Sequence, residues 1–321
     1  FHWAAICVEN KRHCNQFYAA SSVSNPIIVS FNGVLNMPEL PEVEVTRMGV
    51  APHIEGQTVS RMVVRQSALR WPIDAQLPKW LKNARIERTE RRSKYLAIHI
   101  SCADGRCGTL LIHLGMSGSL RIVAKNTPPQ KHDHVDWELG EQILRFHDPR
   151  RFGSVLWHDA ADGDWRTHPR LQSLGMEPFD PAFDGEHIYR ATRSLTQDIK
   201  VALMSGKWVV GVGNIYASEV LFLCGIHPQT PANQLTRTQC DALAEHIPLL
   251  LARAIAQGGS TLKDFVNSDG TSGYFQMDFK IYDRFDQPCV RCKTPVERIV
   301  QAQRATYFCP KCQKPKRGRK S

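Results

Sequence analysis

Four of the chain's ten cysteines fall in a pattern that dictates local structure. Cys289, Cys292, Cys309 and Cys312 read C-x2-C, sixteen intervening residues, C-x2-C. Two such knuckles fold back as hairpins and present four thiolates to one tetrahedral Zn²⁺. Sulfur then fills every coordination position, so the metal is structural, and it contributes folding energy to a segment too small for a core of its own. Two disulfides are the competing reading. Thiolate ligation needs a reducing compartment, so a cytoplasmic protein is expected, with Cys7, Cys14, Cys102, Cys107, Cys224 and Cys240 as free thiols.

The chain is long enough, at 321 residues, for about two domains. Lys plus Arg is 41 and Asp plus Glu is 31, so 41 − 31 leaves +10, a balance that favours nucleic acid or an acidic membrane surface as partner. No apolar run approaches the ~18–20 residues that span a bilayer, which excludes a transmembrane helix.

Residues 1–36 differ in composition from the remainder of the chain. From Met37, Pro41 stands where helices begin, Glu42 and Glu44 suit the first turn, and Val43, Met48 and Val50 form the expected buried face. Seven β-rich stretches come next, Val59–Val64, Tyr95–Ile100, Gly108–His113, Ser119–Val123, His134–Leu139, Gln142–Phe146 and Ser154–Trp157, which predict a sandwich or barrel of about seven or eight strands. Residues 160–192 read as a connector. Helices are expected at Ile199–Met204, at Asn214–Cys224, and from the capping box Thr236-x-x-Gln239 to Gly258, with Pro248 kinking or dividing the last.

Two turns carry candidate chemistry. Gly211-Val-Gly-Asn214 runs into a helix, whose free N–H groups suit an anion such as phosphate, helped by Lys200 and Lys207; a plain helix–turn–helix corner is the alternative. Asp148-Pro-Arg-Arg-Phe-Gly153 puts guanidinium groups beside an aromatic ring, either to engage bases or as a surface turn with a core Phe.

The order of these pieces resembles a known family. Met37-Pro-Glu-Leu-Pro-Glu-Val-Glu44, Arg92-Ser-Lys-Tyr-Leu96, His113-Leu-Gly-Met-Ser-Gly118, Lys131-His-Asp-His134, Asp148–Gly153, Gly211-Val-Gly-Asn-Ile-Tyr-Ala-Ser-Glu219 and Gln303-Arg-Ala-Thr306 resemble bacterial formamidopyrimidine-DNA glycosylase over residues 37–312. The resemblance implies an α+β fold: a 37–160 β-sandwich with a catalytic N-terminal helix, a 161–191 linker, a 192–276 helix–two-turn–helix domain with a lesion loop, a 277–313 zinc finger and a 314–321 basic tail. It implies excision of oxidised purines from double-stranded DNA and β,δ-elimination at the abasic site, by a monomer with no obligate protein partner.

Residue by residue, the resemblance makes Pro38 the Schiff-base nucleophile and Glu39 its acid/base. Lys94 becomes the proton donor for β-elimination, and Arg304, matched to δ-elimination, a clamp on the 3′ phosphate. Met116, Arg150 and Phe152 would fill the gap left by the extruded base, while His132, Lys200, Asn214 and Lys263 would contact DNA, with 263–274 as a lid. Leu195 stands where relatives often carry a phosphate-binding lysine, so that contact is not expected. An internal Pro38 is a tertiary amide and cannot form a Schiff base. Residues 1–36 are therefore expected to lie outside the mature protein. The alternatives are an endonuclease VIII-like enzyme for oxidised pyrimidines, whose start usually reads Pro-Glu-Gly-Pro, and a non-catalytic zinc-ribbon DNA-binding protein.

Overall fold

The computed structural model describes residues 37–258 and 279–315, with the backbone alone at 261–262 and 275–276. Helix α1 (Leu40–Ile54) opens with Pro41 and Glu42 in its first turn. Val43 and Val50, a heptad apart, are each 1% exposed, whereas Met48 is 52% exposed rather than buried. Five residues from Val43 is about 140° round the helix, which turns Met48 away from the sandwich.

Nine strands come after it: β1 (Thr58–Val59), β2 (Arg61–Val64), then, after the short α2 (Leu77–Trp80), β3 (Ala84–Arg92), β4 (Tyr95–Ser101), β5 (Cys107–His113), β6 (Ser119–Ala124), β7 (Asp133–Leu139), β8 (Gln142–His147) and β9 (Ser154–Asp159). They form two sheets, ordered β1-β3-β4-β5-β9 and β2-β7-β8-β6, antiparallel throughout. Ile98 and Ile112 of one sheet and Leu120, Trp137 and Phe146 of the other close a common core with Val43, Val50 and Ile54 of α1. The strand that the sequence pattern does not disclose is β3, whose text, ARIERTERR, hides its alternation in charge.

The second unit is helical: α3 (Gly185–Thr192), α4 (Ile199–Met204), α5 (Asn214–Leu223) and α6 (Arg237–Ala256). Helix α3 lies inside the expected connector. Asp184 caps it by accepting the His187 N–H at 2.7 Å, and its Ile188 is fully buried. The Thr236–Gln239 capping box is present, and α6 runs through Pro248 without a break. Short strands β10 (Thr261–Leu262) and β11 (Phe275–Gln276) pair antiparallel. The chain then enters a hairpin of β12 (Glu297–Gln301) and β13 (Arg304–Phe308), flanked by the two cysteine knuckles.

The helical core contains Leu40, from the first residue of α1, together with Val212, Ile215, Tyr216, Cys289 and Tyr307. The start of the sandwich domain is thus packed into the other domain. Among the described residues, no helix is long and apolar enough to cross a membrane.

Candidate active site

The chain approaches α1 through Pro38, which is buried, and Glu39, which is 2% exposed. The Glu39 carboxylate sits on the N-terminus of α5. It accepts the N–H of Gly213 at 2.5 Å, of Ile215 at 2.9 Å and of Tyr216 at 3.5 Å. The Leu40 N–H donates to the Gly211 carbonyl at 3.1 Å. Two glycines make this approach possible: a Cβ at Gly213 would stand 2.3 Å from the Glu39 carboxyl carbon, and one at Gly211 would stand 2.4 Å from the Leu40 side chain. The expected anion site at Gly211–Asn214 holds this chain's own Glu39 carboxylate. Asn214 does not cap; Gly213 is the N-cap and Asn214 the first helical residue.

Burial drives the Glu39 pKa up to about 7, against the nearby Lys94 charge and the N–H groups of Ile215 and Gly213, while Glu42 adds to the rise. Glu42 braces the same corner, accepting the Glu39 N–H at 2.9 Å and the Tyr216 hydroxyl at 2.8 Å. Its spacing from Glu39, three residues on, is that of a capping-box partner, a signal legible in the sequence.

Lys94 is half-buried at the β3–β4 turn, where Ser93 has φ 56°. Glu177 holds that turn: it accepts the Ser93 N–H at 2.6 Å and pairs with Arg91 at 2.9 Å and Arg92 at 3.0 Å. Burial lowers the Lys94 pKa, Arg304 lowers it further, and Glu39 opposes both. Arg304 opens β13 directly after a two-residue turn in which Ala302 and Gln303 have φ 46° and 61°, as a type I′ hairpin requires. Its guanidinium reaches the Met37 sulfur at 4.0 Å, so the zinc hairpin and the start of α1 meet.

Beside this corner lies an open cleft of about 770 Å³, lined by Met37, Arg70, His113, Met116, Arg150 and Phe152 among others. Phe152 is 43% exposed, which removes the core-Phe alternative, and the Arg150 guanidinium lies 4.9 Å from its ring centre. Asp148 shapes the turn by accepting the Gly153 N–H and the Ser117 hydroxyl, both at 2.7 Å. His132 occupies a left-handed turn position, φ 74°, with its ring near those of His134 and His147.

Lys200 departs from expectation. It is 1% exposed, and its ammonium donates to Asn214 Oδ1 at 2.7 Å, Thr306 Oγ1 at 2.6 Å and the Ala305 carbonyl at 3.1 Å. All three N–H directions are used, so Lys200 ties α4 and α5 to β13 instead of facing outward. Burial lowers its pKa to about 7. Leu195 packs against the helical core. Glu219, which closes the Gly211–Glu219 motif but has no role assigned from sequence, accepts the N–H groups of Lys280, Ile281 and Tyr282 at 3.0, 2.9 and 2.8 Å. A carboxylate on an otherwise apolar helix was the available signal. Lys263 and the lid at 263–274 lie outside the described residues, as does the tail beyond 315.

The four zinc-pattern sulfurs lie within 4.8 Å of one another, with Cys292–Cys309 at 3.4 Å and Cys289–Cys312 at 3.9 Å. A tetrahedron with Zn–S bonds of about 2.3 Å has sulfurs about 3.8 Å apart, so the residues fit the ion. They form a structural zinc site.

Family models match three consecutive parts: the formamidopyrimidine-DNA glycosylase N-terminal domain at 37–155, the formamidopyrimidine-DNA glycosylase H2TH domain at 174–266, and the zinc finger found in FPG and IleRS at 286–315. The chain is 53% identical over 278 residues to the formamidopyrimidine-DNA glycosylase of Janthinobacterium sp. (strain Marseille), covering 87% of this chain and all of that one. It is 52% identical over 280 residues to that of Burkholderia multivorans, with the same coverage. Among solved structures, Lactococcus lactis Fpg (MutM) with DNA containing an oxidised pyrimidine matches at TM-score 0.77 and 32% identity, covering 87% of this chain and all of that one. The complex of Lactococcus lactis Fpg with abasic-site DNA matches at TM-score 0.77 and 32% identity, over 86% of this chain and all of that one.

Proposed function

The chain belongs to the formamidopyrimidine-DNA glycosylase family, and from that membership we propose that it excises 8-oxoguanine and formamidopyrimidines from duplex DNA and then cleaves the strand at the abasic site. One observation carries the chemistry: the residue next to Pro38 is a carboxyl group with a pKa of about 7, held by backbone N–H groups of the other domain. A group titrating near neutral pH gives and takes protons efficiently.

The Pro38 nitrogen, as a free secondary amine, attacks C1′ of the damaged nucleotide. The base leaves and an iminium ion forms. Glu39 protonates the sugar ring oxygen and relays protons as the ring opens. Lys94 stands in the same charge cluster as Glu39 and Arg304 and donates a proton during β-elimination. Arg304 does not readily surrender a proton, so it binds the 3′ phosphate and stabilises the leaving group. The base must first leave the stack. Met116, Arg150 and Phe152, gathered on one cleft, fill the space it vacates, Arg150 and His132 contact the DNA, and the 263–274 segment with Lys263 covers the extruded base. Asn214 reaches a phosphate if its amide turns outward. Lys200 contributes by holding Asn214 and β13. The active form has a free Pro38 nitrogen, without residues 1–36 and without Met37, and works as a monomer in the cytoplasm.

Borohydride trapping tests the nucleophile. A protein opened at Pro38 is trapped on 8-oxoguanine DNA, whereas the 321-residue chain is not. Equal trapping of both refutes the assignment. Excision of 8-oxoguanine faster than of thymine glycol supports the purine reading, which the Pro38-Glu39-Leu40-Pro41 start favours over the endonuclease VIII-like one.

A further inference from the structure

Most arginines of the sandwich domain are neutralised. Arg47, Arg61, Arg65, Arg91, Arg92, Arg121 and Arg145 all pair with carboxylates. Arg70 and Arg170 have no carboxylate partner among the described residues, although both are exposed and both lie over the same ring. The Arg170 guanidinium is 3.6 Å from the Trp71 ring centre and the Arg70 guanidinium 5.9 Å. Two uncompensated cations converging on one side chain repel each other, and such an arrangement is relieved by an anion.

The pair forms a strip leading away from the cleft. Arg70 lines the cleft itself. Tyr95, next in the chain to Lys94, packs on His113 with ring centres 4.8 Å apart and tilted by 59°, and the charges of Arg70 and Arg170 both act on its hydroxyl. Arg170 is held at the far end by local structure. Its N–H donates to His168 Nδ1 at 3.2 Å, and its neighbour Leu171, 2% exposed, is buried in a small cluster with Ala97, Leu111 and Trp165. An arginine stacked on tryptophan loses little freedom on binding, because its plane is already set.

We propose that the Arg170–Trp71–Arg70 stack is a second backbone-binding surface, on which the phosphodiester chain of DNA flanking the lesion rests after leaving the cleft. This rests on the glycosylase reading for the identity of the anion. Arg170, outside the cleft, carries the length dependence of binding.

The test measures binding of the Pro38-start protein and its Arg170→Ala variant to duplexes carrying a non-cleavable abasic analogue, by fluorescence anisotropy across salt concentrations. One neutralised phosphate contributes about 0.9 to the slope of log K against log salt. Loss of Arg170 should lower the slope by about one and weaken binding roughly five- to tenfold near 0.1 M salt on a duplex of roughly 25 base pairs. As the duplex is shortened from each end in turn, the penalty should vanish once one particular arm no longer reaches the stack. An unchanged slope, or a penalty that persists at every duplex length, overturns the proposal. Excision of 8-oxoguanine by the parent protein is measured in parallel. A parent that binds the duplex without excising the base counts against the glycosylase reading alone, while the salt slope and the length dependence decide the binding surface.

Discussion

Two of the molecule's buried carboxylate sites are treated in opposite ways. In the sandwich, Asp133 and Asp136 are 3% and 2% exposed, as deeply buried as Glu39 at 2%. Burial pushes the pKa of each upward. For Asp133 the hydrogen bonds of His147 and the Gln130 N–H overcome that push, and for Asp136 those of Arg145 and Arg65 do, so both end below the usual range. Arg145 forks onto Asp136 with two 2.8 Å bonds. Glu39 receives N–H groups and a more distant ammonium but no guanidinium, and it ends near 7. Equal burial therefore gives opposite outcomes: at Asp136 the guanidinium groups outweigh it, whereas at Glu39 the N–H groups oppose it without cancelling it. A forked cation fixes a structural charge, whereas a helix N-terminus leaves a proton exchangeable.

The sharpest way to separate the two regions is Glu39→Gln. Removing the proton donor should cost roughly 10²- to 10⁴-fold in excision rate while the fold survives. Single-turnover kinetics beside thermal melting checks this, and a rate within about threefold of the parent would refute it. Arg145→Met should do the reverse, stranding Asp136 and lowering stability by about 3–5 kcal/mol. Denaturant unfolding reads that loss, and a stable variant would mean the network is dispensable.

The two regions should also answer pH with opposite signs. Glu39 has a raised folded pKa, so the folded protein keeps a proton that the unfolded chain releases; its contribution is full below about 4.5 and is lost as pH rises towards 7. Asp133 and Asp136 have lowered folded pKa values, so their contribution is present above 3.8 and is lost as pH falls through the folded values. Melting temperature against pH should show both limbs, and Glu39→Gln should flatten only the one between about pH 4.5 and 7. The excision rate should likewise fall above pH 7 as Glu39 ionises. The smallest effect belongs to Arg61→Ala at the Arg61–Glu138 pair, where Arg61 is 68% exposed and water already screens the charges. Its denaturation midpoint should coincide with that of the parent, and a resolved drop would show that exposed pairs matter as much as the buried ones.

How much the sequence discloses depends on range. The zinc cysteines were legible because ligand geometry is local to two knuckles. The order of motifs singles out Glu39, Lys94 and Arg304, which the fold brings into one charge cluster, but nothing in that order tells that Glu39 sits on Gly213 and Ile215, or that Lys200 is sealed against Thr306. Those contacts join residues 174, 176 and 106 positions apart. Strand β3 escaped because Arg88, Arg91 and Arg92 find partners in Glu90, Glu44 and Glu177, and a charged run whose partners lie partly in distant elements does not look like a strand. Helix α3 escaped for a different reason: a Pro- and Asp-rich stretch reads as loop until Asp184 is recognised as its cap.

The seat of Glu39 also has a consequence in time. Glu39 leaves the ribosome well before the backbone that receives it, which is made 174 residues later. At 5–20 residues per second, that is roughly 9–35 s of synthesis. During that interval Glu39 lacks the N–H groups of Gly213 and Ile215. The corner closes only once α5 exists, so a chain that stops short of α5 has the Glu39 carboxyl group but not the seat that sets its protonation.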